Sequence, residues 1–474
     1  MIKYKENHAK PVTRRDFLSQ GFVQFAAMTM APTVLGTLLQ EGLAIAADCP
    51  VPMNGMPAFL CFDCSGGAGL SANWVVGNTG GSQDLINSYG QMGVTDAVRT
   101  ARNLDTTFGV PFWGDVSQTL VGLKGVMDPA TQAKTQMGAL CHVALSDTDQ
   151  NELNACQLIS KAGNLGSLIK TGVGTRNTNS GGTSNTVQRF YDAKLKPLPV
   201  SSYLSIEAAV SPGGSLNQLT TGQKQKLLTA IKNLSMTQLE RFSRMKNGAQ
   251  LKELAECGYL KNTEYSTVPA GIDPRQNADC QAVYGITPAT SPFDQRVVFA
   301  SIVYNSLMGN LGPSTLTIGG CDYHDNTQTT GDAKDLEIGQ HVGRACELAR
   351  RLGKRLIFTV ISDGSVSSTD QTRNWITDSN SKSMSVVGVF DPAGRPEMKS
   401  PGGVLMSQVG RYTNGQGADE STLIGNSGAR VCSAILANYL AAAGQLGVFS
   451  QIIPADVVAT NQIDGITMFT GNFI

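Results

Sequence analysis

The stretch Thr315–Asp325, TLTIGGCDYHD, is the part of the chain on which the fold prediction rests. Its first four residues are apolar or β-branched, which is typical of a buried strand. The strand ends at Gly319-Gly320, and Asp322 and His324 follow at once. Because ligands bind outside the carboxyl ends of the strands in open α/β sheets, this loop is a candidate site. A turn that caps the next helix is the alternative, since Asp is an ordinary turn residue.

From Asp294 onward, predicted helices alternate with predicted strands. Such alternation is typical of βαβ units in a mostly parallel sheet. An earlier continuous apolar run, Ala58–Phe62, predicts a further buried strand. We therefore predict a doubly wound α/β fold. Its predicted elements are helices at Gln295–Met308, Leu336–Leu352 and Ala429–Ala443, and strands at Leu316–Ile318, Arg355–Ile361 and Ser385–Phe390.

Length and composition fit a globular chain with a sizeable core: 474 residues, 41% hydrophobic and 16% charged. Residues 47–474 are predicted to form a single α/β domain with a loop-rich and helical insertion at residues 175–290. The helices are predicted because Thr220–Cys257 has amphipathic spacing. The Gly/Ser/Thr/Asn tract Thr171–Thr186 is predicted to be flexible and exposed. The formal net charge is zero, which argues against nucleic acid as a partner.

The first 46 residues have the features of a twin-arginine export signal. The motif is Thr13-Arg14-Arg15-Asp16-Phe17-Leu18, and a moderately apolar stretch follows it. Ala44-Ile45-Ala46 is an A-x-A pattern, so we expect cleavage after Ala46. The signal predicts a periplasmic or secreted protein, with the twin-arginine translocase as its partner during export. Polar residues interrupt the apolar stretch, and no later span is long enough to cross a bilayer, so no stable transmembrane anchor is expected.

Three predicted strands end in residues that bind divalent metals. Asp63 ends the first of them, Asp363 ends the last, and Asp322 with His324 follows the strand between them. Because the carboxyl ends of parallel strands meet at one edge, these four side chains are candidate metal ligands. The alternative is that Asp commonly ends strands and begins turns.

Cysteines and glycines near the first strand indicate other kinds of chemistry. The chain has ten cysteines, which permits disulfides in an exported protein, and their pairing stays open. Cys61-x-x-Cys64 has the spacing of a redox motif, but a redox role would need a helix start that lowers a thiol pKa. The glycine loop Ser65–Gly69 lacks the Gly-Lys-Ser/Thr ending of a phosphate-binding loop.

Several of these features occur together in one family. They are the twin-arginine leader, the strand and glycine loop at residues 58–70, GGCDYH at 319–324, the helix and strand that run into ISDG at 361–364, and the closing helix Ala429–Phe449. Together they resemble the exported bacterial family called domain of unknown function 1501, which is distantly similar to alkaline phosphatases and sulfatases. The resemblance covers most of the chain after the leader. It implies an alkaline-phosphatase-like core with two metal sites, and hydrolysis of phosphate or sulfate esters by a Ser or Thr nucleophile.

The resemblance also implies roles for individual residues. Asp322, His324 and Asp363 match metal ligands of the family, and Asp63 matches the first-strand metal acid by position. Thr148 lies before a predicted helix and would be the nucleophile.

Two histidine-containing motifs of the family are altered in this chain. The later Asp-His-Gly is here Asp378-Ser379-Asn380, and the Ser-His element is replaced by residues 151–154. One histidine in register leaves a single weak metal site, for which Ca, Mg and Zn are the candidates. We therefore expect a degenerate metal site in a non-catalytic binding or assembly protein. The alternative is a metal-dependent hydrolase of phosphate or sulfate esters.

Overall fold

The computed structural model describes residues 56–144, 152–175, 187–210, 271–369 and 371–470, together with residues 220, 222, 223 and 226. Internal contacts divide the chain into two compact units. One unit, Pro52–Ile206 with Gly271–Ile474, contains every strand of the described residues. The other, Met1–Val51 with Glu207–Ala270, lies almost entirely outside the described residues, and so do the predicted leader and most of the helices predicted between residues 220 and 257.

The larger unit is built around one sheet with helices packed on it. The strands, in chain order, are β1 (Ala58–Cys64), β2 (Leu104–Asp105), β3 (Phe112–Trp113), β4 (Thr135–Cys141), β5 (Val173–Thr175), β6 (Leu198–Val200), β7 (Ser314–Ile318), β8 (Leu356–Ser362), β9 (Val366–Ser368), β10 (Trp375–Asp378), β11 (Met384–Phe390), β12 (Gln408–Val409), β13 (Tyr412–Thr413) and β14 (Gly417–Ala418).

The α-helices whose bounds the structure describes are of very different lengths, from one turn to six. In chain order they are α1 (Asp96–Ala101), α2 (Gln118–Val126), α3 (Pro129–Ala133), α4 (Cys156–Lys161), α5 (Tyr203–Val210), α6 (Ala278–Tyr284), α7 (Gln295–Leu307), α8 (Thr329–Arg351), α9 (Gly428–Ala442) and α10 (Phe449–Ile452). Across the ranges that the structure describes, no helix combines the length and the apolar character that a membrane span requires.

The central sheet has eight strands in the order β12-β4-β11-β8-β1-β7-β5-β6. Neighbouring strands are parallel except around β11, which is antiparallel to both β4 and β8. β1 lies in the middle, where Phe62 is in register with Leu316 of β7 and with Val360 of β8. Every residue of β8 is buried, as expected of a parallel strand covered on both faces. The prediction of an α/β fold with a mostly parallel sheet is confirmed.

Helices cover both faces of the sheet. Phe59 and Cys61 point to one face of β1 and belong to a core cluster that includes residues of α4 and α9. On that face the rings of Phe59 and Tyr439 meet edge to face, with centroids 5.6 Å apart. Helices α7 and α8 also contact β1. Because side chains alternate along a strand, Leu60 and Phe62 point to the opposite face, toward this second helical layer.

Two short strands extend the sheet at the β7 edge. β5 is buried and lies in the tract at residues 171–186, so the prediction that this tract is exposed is wrong at Val173–Thr175. β6 pairs with β5 in parallel and lies inside the predicted insertion at residues 175–290. Strand pairing accounts for the formation of both β5 and β6, because hydrogen bonds to a neighbouring strand can order a segment of low β-propensity. The rest of the predicted insertion largely falls outside the described residues and stays a prediction.

Helices α2 and α8 cross at glycines, where their backbones are in contact. A Cβ atom added to Gly122 would lie 2.3 Å from the carbonyl oxygen of Leu336, and one added to Gly339 would lie 2.2 Å from that of Thr119. By contrast, a Cβ atom on Gly125 would have no neighbour within 4 Å. The absence of side chains at Gly122 and Gly339 therefore lets the two helix backbones touch.

We expect Gly122→Ala to destabilise the protein by about 1–3 kcal/mol, because backbone atoms of α8 must move to admit the methyl group. Gly125→Ala is the matched control in the same helix, and we expect it to be neutral or to stabilise by up to about 1 kcal/mol through helix propensity. Urea unfolding of both variants measures the difference. Equal effects of the two substitutions would show that the helices do not cross this closely.

Candidate metal site

Three loops meet at the carboxyl ends of β1, β7 and β8. The N–H of Ser65 donates to the Ile318 carbonyl at 3.1 Å, and the N–H of Cys321 donates back to the Ser65 carbonyl at 3.1 Å. The N–H of Gly66 donates to Oδ1 of Asp363 at 2.8 Å. The ends of three neighbouring strands are thus joined into one hydrogen-bonded floor.

Gly66 sits at the closest approach between two of these loops. Its φ is 108°, a conformation that residues with a side chain rarely adopt. A Cβ atom at this position would also lie 2.7 Å from the Cβ of Asp322. The glycine is needed both for the turn and for the seating of Asp322 on the floor.

Three exposed side chains converge above this floor. Nε2 of His324 lies 2.8 Å from Oδ1 of Asp322 and 3.6 Å from Oδ1 of Asp378. One ligand atom from each of the three residues lies within 4.8 Å of the others. The side chains of Asp322, His324 and Asp378 are 57%, 40% and 39% exposed. We call this group the Asp–His–Asp cluster.

Two of the predicted ligands, Asp322 and His324, belong to the cluster. Asp63 is fully buried within β1, and Asp363 is also buried and accepts the N–H of Gly66. Within the described ranges, no second group of three Asp, Glu, His or Cys side chains converges as closely. Ligand roles for Asp63 and Asp363 stay predictions, and Thr148 lies outside the described residues.

Asp378 is the candidate ligand that the sequence analysis missed. It lies on β10, which pairs with β9 so that Asp378 is opposite Val366. The N–H of Ser379 donates to the Ser365 carbonyl at 2.8 Å. Because β9 begins four residues after β8 ends, the hairpin brings Asp378 back to the carboxyl edge of the sheet. The one available signal was the altered Asp-His-Gly motif, which retains its Asp.

Tyr323 anchors the loop that carries Asp322 and His324. Its side chain is buried, its hydroxyl accepts the N–H of Gly69 at 2.5 Å, and the same hydroxyl donates to Oδ1 of Asp335 at 2.8 Å. With Tyr323 pointing inward, the residues on either side of it point outward. The alternation places both exposed ligands on the solvent side of the loop.

Arg373 anchors the hairpin that carries Asp378. Its Nη2 pairs with Oδ2 of Asp335 at 3.0 Å, and its Nε with Oδ1 of Asp332 at 2.9 Å. The guanidinium also lies over the ring of Trp375, 5.4 Å from the centroid, in the arrangement of a cation–π contact. Burial raises the pKa of Asp335 to about 6, and the positive charge of Arg373 is the strongest opposing effect.

The glycine loop after β1 is not built to hold phosphate. A phosphate cradle needs backbone N–H groups that point at the ligand. Here three of these groups donate to side-chain oxygens of the protein: Gly66 to Asp363, Ala68 to Ser362, and Gly69 to Tyr323.

The Cys61-x-x-Cys64 motif does not meet the requirement for a redox site. Both residues lie within β1 and are buried, and three positions apart in a strand they point to opposite faces. Burial, and then the neighbouring Cys156, raises the pKa of Cys61. Cys321, as a hydrogen-bonding neighbour, and then burial raise the pKa of Cys64. Neither thiol has the exposed and activated character of a redox cysteine.

The other described histidines do not join the cluster. His142 is buried, with Nδ1 2.9 Å from the Val143 carbonyl and Nε2 2.8 Å from the hydroxyl of Ser385. Burial lowers the pKa of His142 to about 4, so this imidazole is neutral. His341 lies 3.4 Å from Glu337 on α8. Both have structural partners.

Comparison of the chain with models of protein families, with curated proteins and with solved structures finds no match. The fold and the site define an α/β protein with an exposed candidate metal site at the carboxyl edge of its sheet.

We expect Arg373→Met to destabilise the protein by about 3–5 kcal/mol, because it leaves the buried carboxylate of Asp335 without its cationic partner. Arg296→Met is the matched control, since Arg296 pairs with Asp294 at 2.8 Å but is 52% exposed. The control should leave the free energy of unfolding nearly unchanged. Urea unfolding at pH 7 measures both, and a small loss at Arg373 would contradict the anchoring role of the pair.

Proposed function

We propose that this chain is an exported protein with an alkaline-phosphatase-like core whose Asp322, His324 and Asp378 bind one divalent metal. Its role would be binding or assembly rather than catalysis. The observation that carries the proposal is the convergence of the three ligand atoms within 4.8 Å. Two carboxylates and one imidazole at one point are a donor set that divalent metals accept.

Among Ca, Mg and Zn, the donor set fits Zn best. Imidazole suits Zn, whereas Ca and Mg prefer an all-oxygen shell. Tetrahedral Zn with bonds of about 2.0–2.1 Å places its ligand atoms about 3.3 Å apart. The separations from His324 Nε2, 2.8 Å to Asp322 and 3.6 Å to Asp378, lie on either side of that value. Small rotations of exposed side chains would bring the three atoms to ligand positions.

The side chains and backbone N–H groups at the carboxyl edge of the sheet support a non-catalytic role. Hydrolysis of the kind that the family resemblance implies uses two metals, and the described residues supply one close group of ligands. The glycine loop, which could otherwise have stabilised a developing negative charge, donates three of its N–H groups to the protein itself. One exposed metal, without a second metal or free N–H groups beside it, is better suited to holding a ligand than to activating it.

The alternative function is metal-dependent hydrolysis of phosphate or sulfate esters. It is favoured by the number of protein ligands, since three ligands leave coordination positions for water and for an ester oxygen. Thr148 would have to reach the metal as the nucleophile.

Export is part of the proposal. It is supported by the twin-arginine motif and by the A-x-A pattern that ends at Ala46. The twin-arginine translocase would be the partner during export, and the mature protein would be periplasmic or secreted. Because this pathway carries folded proteins, a metal could be loaded before export.

We expect Asp378→Asn to weaken Zn²⁺ binding by at least about 10-fold, because an amide replaces one of three ligands. Asp325→Asn is the matched control: it removes an exposed charge from the same loop, and Asp325 is outside the cluster and bonds to Thr327 and Thr330. Isothermal titration of the cleaved protein with Zn²⁺ and Mn²⁺ measures both affinities. Equal losses in the two variants would show that net charge, and not coordination, holds the metal.

We expect no metal-dependent turnover of aryl phosphate or aryl sulfate esters above the level of an Asp322→Ala/His324→Ala double variant. The measurement is release of the chromogenic alcohol with Zn²⁺, Mn²⁺, Mg²⁺ or Ca²⁺ present. Turnover by the native protein that the double variant lacks would establish the hydrolase alternative. Stoichiometric metal without turnover would support the binding role.

A further inference from the structure

Two buried cysteines lie at the strand ends from which the loop of Asp322 and His324 begins. Cys64 is the last residue of β1 and is in register with Ile318, the last residue of β7. The chain then turns at Gly320, with φ 74°, and the N–H of Cys321 donates to the Ser65 carbonyl at 3.1 Å. Cys321 is therefore folded back onto the end of the strand that carries Cys64.

The two thiols are direct neighbours. Cys321 is a hydrogen-bonding partner of the Cys64 thiol, and its own Sγ lies 3.3 Å from the Ile318 carbonyl. Both cysteines are 0% exposed. A disulfide needs Cα atoms about 4.4–6.8 Å apart, and the hydrogen bond from the N–H of Cys321 to the carbonyl of Ser65, the residue after Cys64, brings the two backbones together. The backbone thus places the two cysteines on directly adjoining segments of the chain.

The other close thiols have different partners. Sγ of Cys156 lies 3.6 Å from the hydroxyl of Thr315, and Sγ of Cys432 lies 3.4 Å from the Glu152 carbonyl. Cys61 has these two cysteines only as electrostatic neighbours. Of the thiols in the described ranges, Cys64 and Cys321 are the pair that the backbone hydrogen bonds draw together.

We propose that Cys64 and Cys321 form a disulfide when the chain folds under oxidising conditions, and that this bond ties the loop of Asp322 and His324 to β1. The influence on metal binding rests on the proposed function, whereas the cross-link itself does not. Because both thiols are buried in the folded protein, oxidation needs open strand ends: either before folding is complete or, in a chain exported in its folded state, during a transient opening after export.

The oxidant is a small disulfide such as oxidised glutathione. One cysteine thiolate attacks its S–S bond, which forms a mixed disulfide and releases one glutathione thiol. The second cysteine thiolate then displaces the other glutathione. Overall, two cysteine thiols lose two protons and two electrons, and the reagent becomes two thiols.

Peptide mapping tests the cross-link. The full chain after the leader is refolded in oxidised and reduced glutathione, its remaining thiols are alkylated in denaturant, and the digest is analysed by mass spectrometry. We expect one cross-linked peptide pair per chain that contains Cys64 and Cys321 and disappears after reduction. Alkylation of both residues in the oxidised sample, or a bond from either one to another cysteine, would overturn the proposal.

Serine variants supply the control. Cys321→Ser should leave Cys64 open to alkylation. Cys346 is equally buried and lies in helix α8, and Cys346→Ser should retain the cross-link. If Cys321→Ser does not fold, the map of the native chain decides the question alone.

Titration with Mn²⁺, which has little affinity for thiols, tests the effect on the site. We expect reduction by a phosphine to weaken Mn²⁺ binding several-fold, because the loop is released from β1. An unchanged affinity would overturn the link between the disulfide and the site. A cross-linked chain that binds no metal in either state would leave the disulfide standing and reject the proposed function.

Discussion

The candidate metal site depends on the contacts of one buried carboxylate, that of Asp335. It accepts the hydroxyl of Tyr323 and pairs with Arg373, so it holds the loop after β7 and the β9–β10 hairpin against the same helix. A buried carboxylate is costly unless it is paired and hydrogen-bonded, because it has lost its hydration. The need to satisfy this one group fixes the two segments that carry the exposed ligands.

Close backbone approach at the strand ends is the second constraint. Gly66 admits Asp322, and a Cβ atom on Gly67 would lie 3.2 Å from the N of Ser365. The glycines let three loops pack into one floor, and the N–H groups of Gly66 and Gly69 bind side-chain oxygens of the protein. The glycines of such a loop do not by themselves distinguish it from an anion-binding loop. Packing against other loops and binding an anion both need small residues and N–H groups that face inward.

The sequence predicted those parts of the fold that local pattern determines. The buried runs of β8 and β11 and helix α7 were placed within one or two residues, since their apolar periods are visible. Helix α8 begins at Thr329 and not at Leu336, because its polar first turns are held by tertiary contacts such as that of Gly331 with Trp375. Asp378 was missed for a similar reason, since a hairpin pairing brings it to the site.

The contrast in burial between the three candidate ligands and the residues that support them is part of the reason for proposing a binding role. Catalytic metal sites are commonly enclosed so that bulk water is expelled, and their ligands are oriented by further hydrogen bonds. Here the support of Tyr323, Asp335 and Arg373 is buried, while the ligands are open to solvent. A rigid base with exposed ligands leaves coordination positions that a carboxylate or imidazole of another molecule can fill. A metal held in this way would join two partners, which is why the geometry fits assembly better than turnover.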